Sequence, residues 1–113
     1  MIDHVTLQVG DVAASRAFYE AVLAPLGIVA AATDGPAVGF FGPEPGSFWL
    51  CPAQRDKDRE LHVAFRAADR DAVRAFHDAA VSVGAEVHEH YFGAFVRDPD
   101  GHNIEAVCHQ PES

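Results

Sequence analysis

This chain repeats itself. Displaced by 58 positions, the sequence lays His4-Val5 on His62-Val63, Asp11 on Asp69, Arg16-Ala17-Phe18 on Arg74-Ala75-Phe76, and Ala21 on Ala79. A displacement of 56 then carries Pro43 onto Pro99, Glu44 onto Asp100, and Phe48-Trp49-Leu50 onto Ile104-Glu105-Ala106. Self-similarity of this kind marks a duplicated supersecondary unit. A chain of 113 residues suffices for one domain with its own core and is too short for two independent ones. The copies are therefore read as halves of one domain, modules of about 1–54 and 60–113 joined by a linker at 55–59 within the charged, apolar-poor stretch Gln54 to Glu60.

Each module reads as strand, helix, strands. In Ile2 to Val9 the apolar Val5, Leu7 and Val9 alternate with His4, Thr6 and Gln8, which a strand sends to opposite faces. In Leu61 to Ala67 the same alternation sets Leu61, Val63 and Phe65 against His62, Ala64 and Arg66. Both histidines are thus expected on the face turned away from the core. Asp11 and Asp69 are placed to cap helices. The first helix carries Phe18, Tyr19, Val22 and Leu23 and is closed by Pro25 and Gly27; the second carries Val73, Phe76, Ala80 and Val83 and ends at Gly84. Short β-like runs follow at Val38–Phe41, Ser47–Cys51, Glu86–His90, Gly93–Arg97 and Asn103–Cys108, separated by Gly-Pro-Glu-Pro-Gly and Asp-Pro-Asp-Gly turns. The expected class is α+β, two tandem βαβββ modules.

Composition narrows the function. Nearly half the residues are apolar, which describes an ordinary globule, and no run approaches the roughly 20 apolar residues of a bilayer span. Without a leader-like N-terminus, the chain is expected in the cytoplasm and away from membranes. A formal charge of −9, with no stripe of Lys or Arg, argues against nucleic acid as a partner. Cys51 and Cys108 form no CxxC pair and read as buried, reduced thiols.

If the first strands of the modules are related by pseudo-symmetry, His4 and His62 occupy equivalent places and can face a shared cup. Glu105 alternates with Ile104 and Ala106, so its carboxylate points away from the core. Together His4, His62 and Glu105 make a candidate site for a divalent metal ion, with Fe, Mn, Ni, Co or Zn all compatible. The repeat partner of Glu105 is Trp49, so an indole stands where a fourth ligand could have been. Open positions on such an ion suit a substrate with two adjacent oxygens. Thr6 and Gln8, on the His4 face, and Trp49 are candidate substrate-binding residues. His88, His90 and Tyr91 are candidates for proton transfer, since His88 and His90 share a face in an extended segment. His77 reads as a structural helix residue and His102 as a turn residue.

The segments Ile2-Asp3-His4-Val5-Thr6-Leu7, Arg16-Ala17-Phe18-Tyr19, Leu61-His62-Val63-Ala64 and Asp98-Pro99-Asp100-Gly101-His102-Asn103-Ile104-Glu105 resemble the vicinal oxygen chelate superfamily. That superfamily includes glyoxalase I, extradiol dioxygenases, fosfomycin-resistance thiol transferases and bleomycin-resistance proteins. The resemblance implies a cup-shaped curved sheet, commonly at a homodimer interface, with metal ligands at the positions of His4, His62 and Glu105. Trp49 departs from glyoxalase I, whose matching position holds a second Glu. Thr6 and the Ser47–Cys51 run are closer to the fosfomycin transferases, but between His88 and the C-terminus Arg97 is the only Arg or Lys to hold a phosphonate. The expected function is that of a glyoxalase/dioxygenase-like metalloenzyme, a metal-dependent lyase or dioxygenase type acting on a small molecule. The alternative is a metal-free binding or drug-sequestration protein of the bleomycin-resistance type. Either would be a homodimer.

Overall fold

Two four-stranded sheets, each the product of one module, carry the chain. The computed structural model describes residues 2–53, 61–90 and 93–109. The first module runs β1 (His4–Val9), α1 (Val12–Leu23), a single 3₁₀ turn (Ala24–Leu26), β2 (Val29–Asp34), β3 (Ala37–Phe41) and β4 (Ser47–Pro52). The second runs β5 (His62–Arg66), α2 (Arg70–Ser82), β6 (Val87–His90), β7 (Gly93–Arg97) and β8 (Asn103–Val107). The strand orders are β1-β4-β3-β2 and β5-β8-β7-β6, so the sheets share one topology. In each, the first strand pairs parallel with the last and the other pairs are antiparallel. The expected linker at 55–59 lies outside the described residues.

Local chemistry explains the helix boundaries. Asp11 Oδ1 accepts from the Ala14 amide at 3.1 Å and Asp69 Oδ1 from the Ala72 amide at 2.8 Å, each satisfying a free first-turn donor. After α1, Pro25 tightens the chain into the 3₁₀ turn. One strand carries little sequence signal: β2 reads Val-Ala-Ala-Ala-Thr-Asp, a run of weak strand formers at the sheet edge with a register shift between Ala30 and Ala32.

Alternation does the sorting between faces. Leu7, Val9, Phe40, Phe48, Leu50, Val96, Ile104 and Ala106 are buried with the helix residues Tyr19, Val22, Leu23, Phe76 and Ala80 in one continuous core. The opposite face of each sheet stays open. Phe48 of β4 meets Phe65 of β5 edge-on, with ring centroids 5.2 Å apart, so the apolar contact crosses between modules. Cys108 is buried and Cys51 only half-buried; both are free thiols. The difference follows from register, because Cys51 lies two residues beyond Trp49 on the open side of β4.

The modules are also latched by polar groups. Asp98 opens the turn before β8, with Pro99 next and Gly101 at φ 84°, a left-handed backbone that suits glycine. Its Oδ1 accepts from the amides of Asp100 (3.0 Å) and His102 (2.7 Å), and its Oδ2 accepts from the Tyr19 hydroxyl of α1 at 2.6 Å. Asp100 reaches the other module as well, accepting from the Gly10 amide at 3.0 Å. Burial, and next the Asp98 carboxylate, push the Tyr19 phenol far above its ordinary range, so it stays a donor. His102 is not a simple turn residue: it is 1% exposed, and its Nδ1 accepts from the Leu61 amide at 3.0 Å, fixing the start of β5.

Candidate functional site

The open faces carry every sequence-chosen site residue that the structure describes. Registers across the sheets make the pseudo-symmetry concrete. On the second sheet one row reads Ala64, Glu105, Phe95, His88, and the adjacent row His62, Asn103, Arg97. On the first sheet the matching rows read Thr6, Trp49, Gly39, Ala32 and His4, Ser47, Phe41, Val29. Trp49 therefore stands in the row position of Glu105, and Gly39 in that of Phe95.

His62 and Glu105 sit on neighbouring strands in adjacent rows, where side chains on one face come within reach. His62 Nε2 lies 2.9 Å from Glu105 Oε1. Glu105 is largely covered, with 15% of its side chain exposed, whereas His62 remains 58% exposed. The pair is thus anchored at its carboxylate and open at its imidazole. Beside it, Asn103 Oδ1 is buried without a hydrogen-bond partner among the described residues, an acceptor waiting for a donor.

His4 stands on the other sheet, exposed, with its Nδ1 2.7 Å from Asp3 Oδ1. Among the described residues no group of three or more His, Cys, Asp and Glu side chains is close enough together to hold a metal ion. One chain brings together two of the three expected ligands. The third, His4, is not among them.

Trp49 is held on several sides. Its indole N–H donates to Ser47 Oγ at 2.9 Å, and the Phe41 ring meets it edge-on at 6.1 Å. The indole covers Gly39: a Cβ there would fall 2.7 Å from the ring's Cζ2. Thr6 pairs with Trp49 from β1, and Gln8 with Cys51 one row on. His88 shares the open face with Glu105 but lies two strands away, roughly 10 Å at ordinary strand spacing. Its Nε2 lies 3.2 Å from the acceptor Glu86 Oε1, and its ring is tilted 34° from that of Phe95 with centroids 5.4 Å apart. Tyr91 lies outside the described residues, and of His90 only the backbone is described. His77 contacts Asp78 and Glu89 on the helix side, away from these rows. Asn103, Phe41 and Gly39 are the neighbours that sequence reading passed over; the repeat offset could have found Gly39, as the counterpart of Phe95.

A duplicated βαβββ chain with two four-stranded sheets and a His–Glu pair on the open face of the second defines a class of small α+β proteins. The family model of the Glyoxalase/Bleomycin resistance protein/Dioxygenase superfamily matches residues 1–106, and the chain belongs to that superfamily. Solved structures agree. The chain is similar to a glyoxalase/bleomycin resistance protein from Albidiferax ferrireducens T118, with 26% identity, a TM-score of 0.78, and coverage of 94% of this chain and 97% of that one. It also shares the fold of a glyoxalase/dioxygenase from Nostoc punctiforme at 23% identity, TM-score 0.74, covering 99% and 92% of the two chains. The lactoylglutathione lyase from Agrobacterium tumefaciens matches at 20% identity, TM-score 0.71, covering 96% and 93%. No curated protein matches significantly. Among the described residues no helix is long and apolar enough to cross a membrane.

Proposed function

We propose that this chain is a metal-dependent enzyme of the glyoxalase/dioxygenase type, acting on a small molecule with two adjacent oxygens. Its divalent ion would be held by His62 and Glu105 of one chain and His4 of a second copy. The observation that carries this reading is the 2.9 Å approach of His62 Nε2 to Glu105 Oε1 on an open sheet face. Two ligand atoms about 2.1 Å from one ion and at right angles to each other are about 3 Å apart, so the pair already has the spacing of adjacent ligands. One imidazole, one carboxylate and a further imidazole are a donor set suited to Fe, Mn, Ni, Co or Zn.

The need for a second copy rests on His4, which this chain leaves apart from the pair. β1 and β5 end their sheets, and an unpaired edge is a template on which another chain can pair. The orphan acceptor of Asn103, beside His62, belongs to the same incomplete surface. When bound, the ion would polarise a substrate oxygen as a Lewis acid. Thr6, Gln8 and Trp49 line the face that would meet the substrate. His88, with His90 and Tyr91 on the same stretch of chain, would move the proton; His88 is far enough from Glu105 to serve the substrate without ligating the ion.

Elemental analysis of protein purified without chelators tests the reading. About one divalent ion per chain is expected, lost on dialysis against EDTA and restored by Mn, Fe, Co, Ni or Zn. Failure to take up any of the five would favour a metal-free binding protein of the bleomycin-resistance type using the same face.

A further inference from the structure

His62 is the first residue of β5, and β5 is an edge strand, so the ligand-bearing end of this sheet is where fraying would start. Packing does little to prevent it, since Leu61 and His62 are both substantially exposed. Backbone hydrogen bonds have to hold the position. In a parallel ladder a residue accepts from one residue of the neighbouring strand and donates to the carbonyl two positions before it. Leu61 follows the first half of this pattern, its carbonyl accepting from the Asn103 amide at 2.8 Å. The second half would fall on the Gly101 carbonyl, which lies in the turn before β8 and accepts from Arg97 Nη1 at 3.2 Å. The Leu61 amide donates to His102 Nδ1 at 3.0 Å. An imidazole nitrogen thus stands in for a ladder carbonyl and carries the pairing one step beyond β8.

His102 is itself fixed. It is buried, its amide donates to Asp98 Oδ1 at 2.7 Å, and its carbonyl accepts from the Asp98 amide at 3.0 Å. A ring tied to a closed turn in this way dictates where Leu61 sits, and with it the next residue, His62. The duplication supplies an internal comparison. In the first module the Ser47 amide donates to the Asp3 carbonyl at 3.0 Å, repeating the bond between Asn103 and Leu61. Displaced by 56, however, the position of His102 falls on Gly46, which has no side chain, and a Cβ there would already approach the Asp3 carbonyl oxygen to 3.1 Å. The imidazole tie belongs to the module that supplies both His62 and Glu105.

We infer that His102 is a positioning residue for His62: by accepting from the Leu61 amide it holds the start of β5 where the His62 imidazole meets Glu105 Oε1 at 2.9 Å. Its value for metal binding rests on the reading of His62 and Glu105 as ligands. The hydrogen bond, and the pairing it fixes, do not depend on a bound ion.

The test compares wild type with His102→Leu, which fills the space without an acceptor, and His102→Asn, whose Oδ1 occupies the place of Nδ1 and can accept the same bond. Val22→Ala, a truncation in the core face of α1, controls for lost stability alone. In metal-free, 15N-labelled wild type, NMR should show a scalar coupling across the hydrogen bond between the Leu61 amide nitrogen and His102 Nδ1. A nuclear Overhauser contact between the His62 ring and the Glu105 methylenes should persist in His102→Asn and Val22→Ala and be lost in His102→Leu. For Zn(II), His102→Leu should bind about tenfold more weakly or worse, while His102→Asn and Val22→Ala stay within about threefold of wild type. Wild type that takes up no Zn(II) but shows the coupling and the pattern of contacts would sink the metal reading and leave the positioning role standing. That role is overturned if wild type lacks the coupling, if His102→Asn binds Zn(II) as weakly as His102→Leu, or if Val22→Ala loses as much affinity as His102→Leu. Should His102→Leu fail to fold, the coupling in wild type and a His102→Asn that keeps both the contact and the affinity still decide.

Discussion

Asp98→Ala should destabilise the protein by about 3 kcal/mol, a fall in melting temperature on the order of 10 °C. The carboxylate is 4% exposed and accepts from the Tyr19 hydroxyl and the amides of Asp100 and His102. Removing it leaves three buried or half-buried donors unpaired, and an unpaired buried donor costs more than the net value of the bond it made. Tyr19→Phe is the graded control, at about 1–2 kcal/mol, because Asp98 keeps its two amide donors. Urea unfolding monitored by Trp49 fluorescence and by circular dichroism separates the cases. Equal losses for the two variants would mean that the Tyr19 bond alone carries the latch. No loss for Asp98→Ala would mean that the turn holds itself.

This latch also shows where sequence reading stops. The duplication was legible because both copies kept their cap residues, their His-Val pair and their turn spacing, and the strands fall in register with the two offsets: β5 begins 58 residues after β1 and β8 begins 56 after β4. The equivalence of Trp49 and Glu105 follows from the same offset. By contrast, Tyr19 and Asp98 lie 79 positions apart and belong to different modules, and alternation within a strand says nothing about which turn meets which helix. His102 looked like a turn residue because its Nδ1 partner, the Leu61 amide, is distant in sequence. β2 was unmarked because three alanines give it no strand character of their own. Candidate ligands could be chosen from facing alone, but whether two sheets of one chain close on each other depends on how the helices pack, which periodicity does not encode.

Glu105→Gln should lower affinity for the divalent ion by on the order of 100-fold or more while leaving the fold intact. The amide matches the carboxylate in shape and can still bond to His62, but it brings no negative charge to offset the ion. His62→Ala should act likewise, and His88→Ala should leave metal content unchanged, since His88 lies two strands from Glu105. Competition against a chromogenic chelator reads all three.

Sharing of the site between two copies can be read out by complementation. His4→Ala and Glu105→Gln chains, carrying different tags, are co-expressed and the mixed dimer is isolated and assayed for metal. Each variant alone has every site damaged. In the mixed dimer one site is rebuilt, from His4 of the Glu105→Gln chain with His62 and Glu105 of the His4→Ala chain, and about half the wild-type metal content should return. A mixed dimer as empty as its parents, or a wild-type monomer holding its full metal, would contradict it.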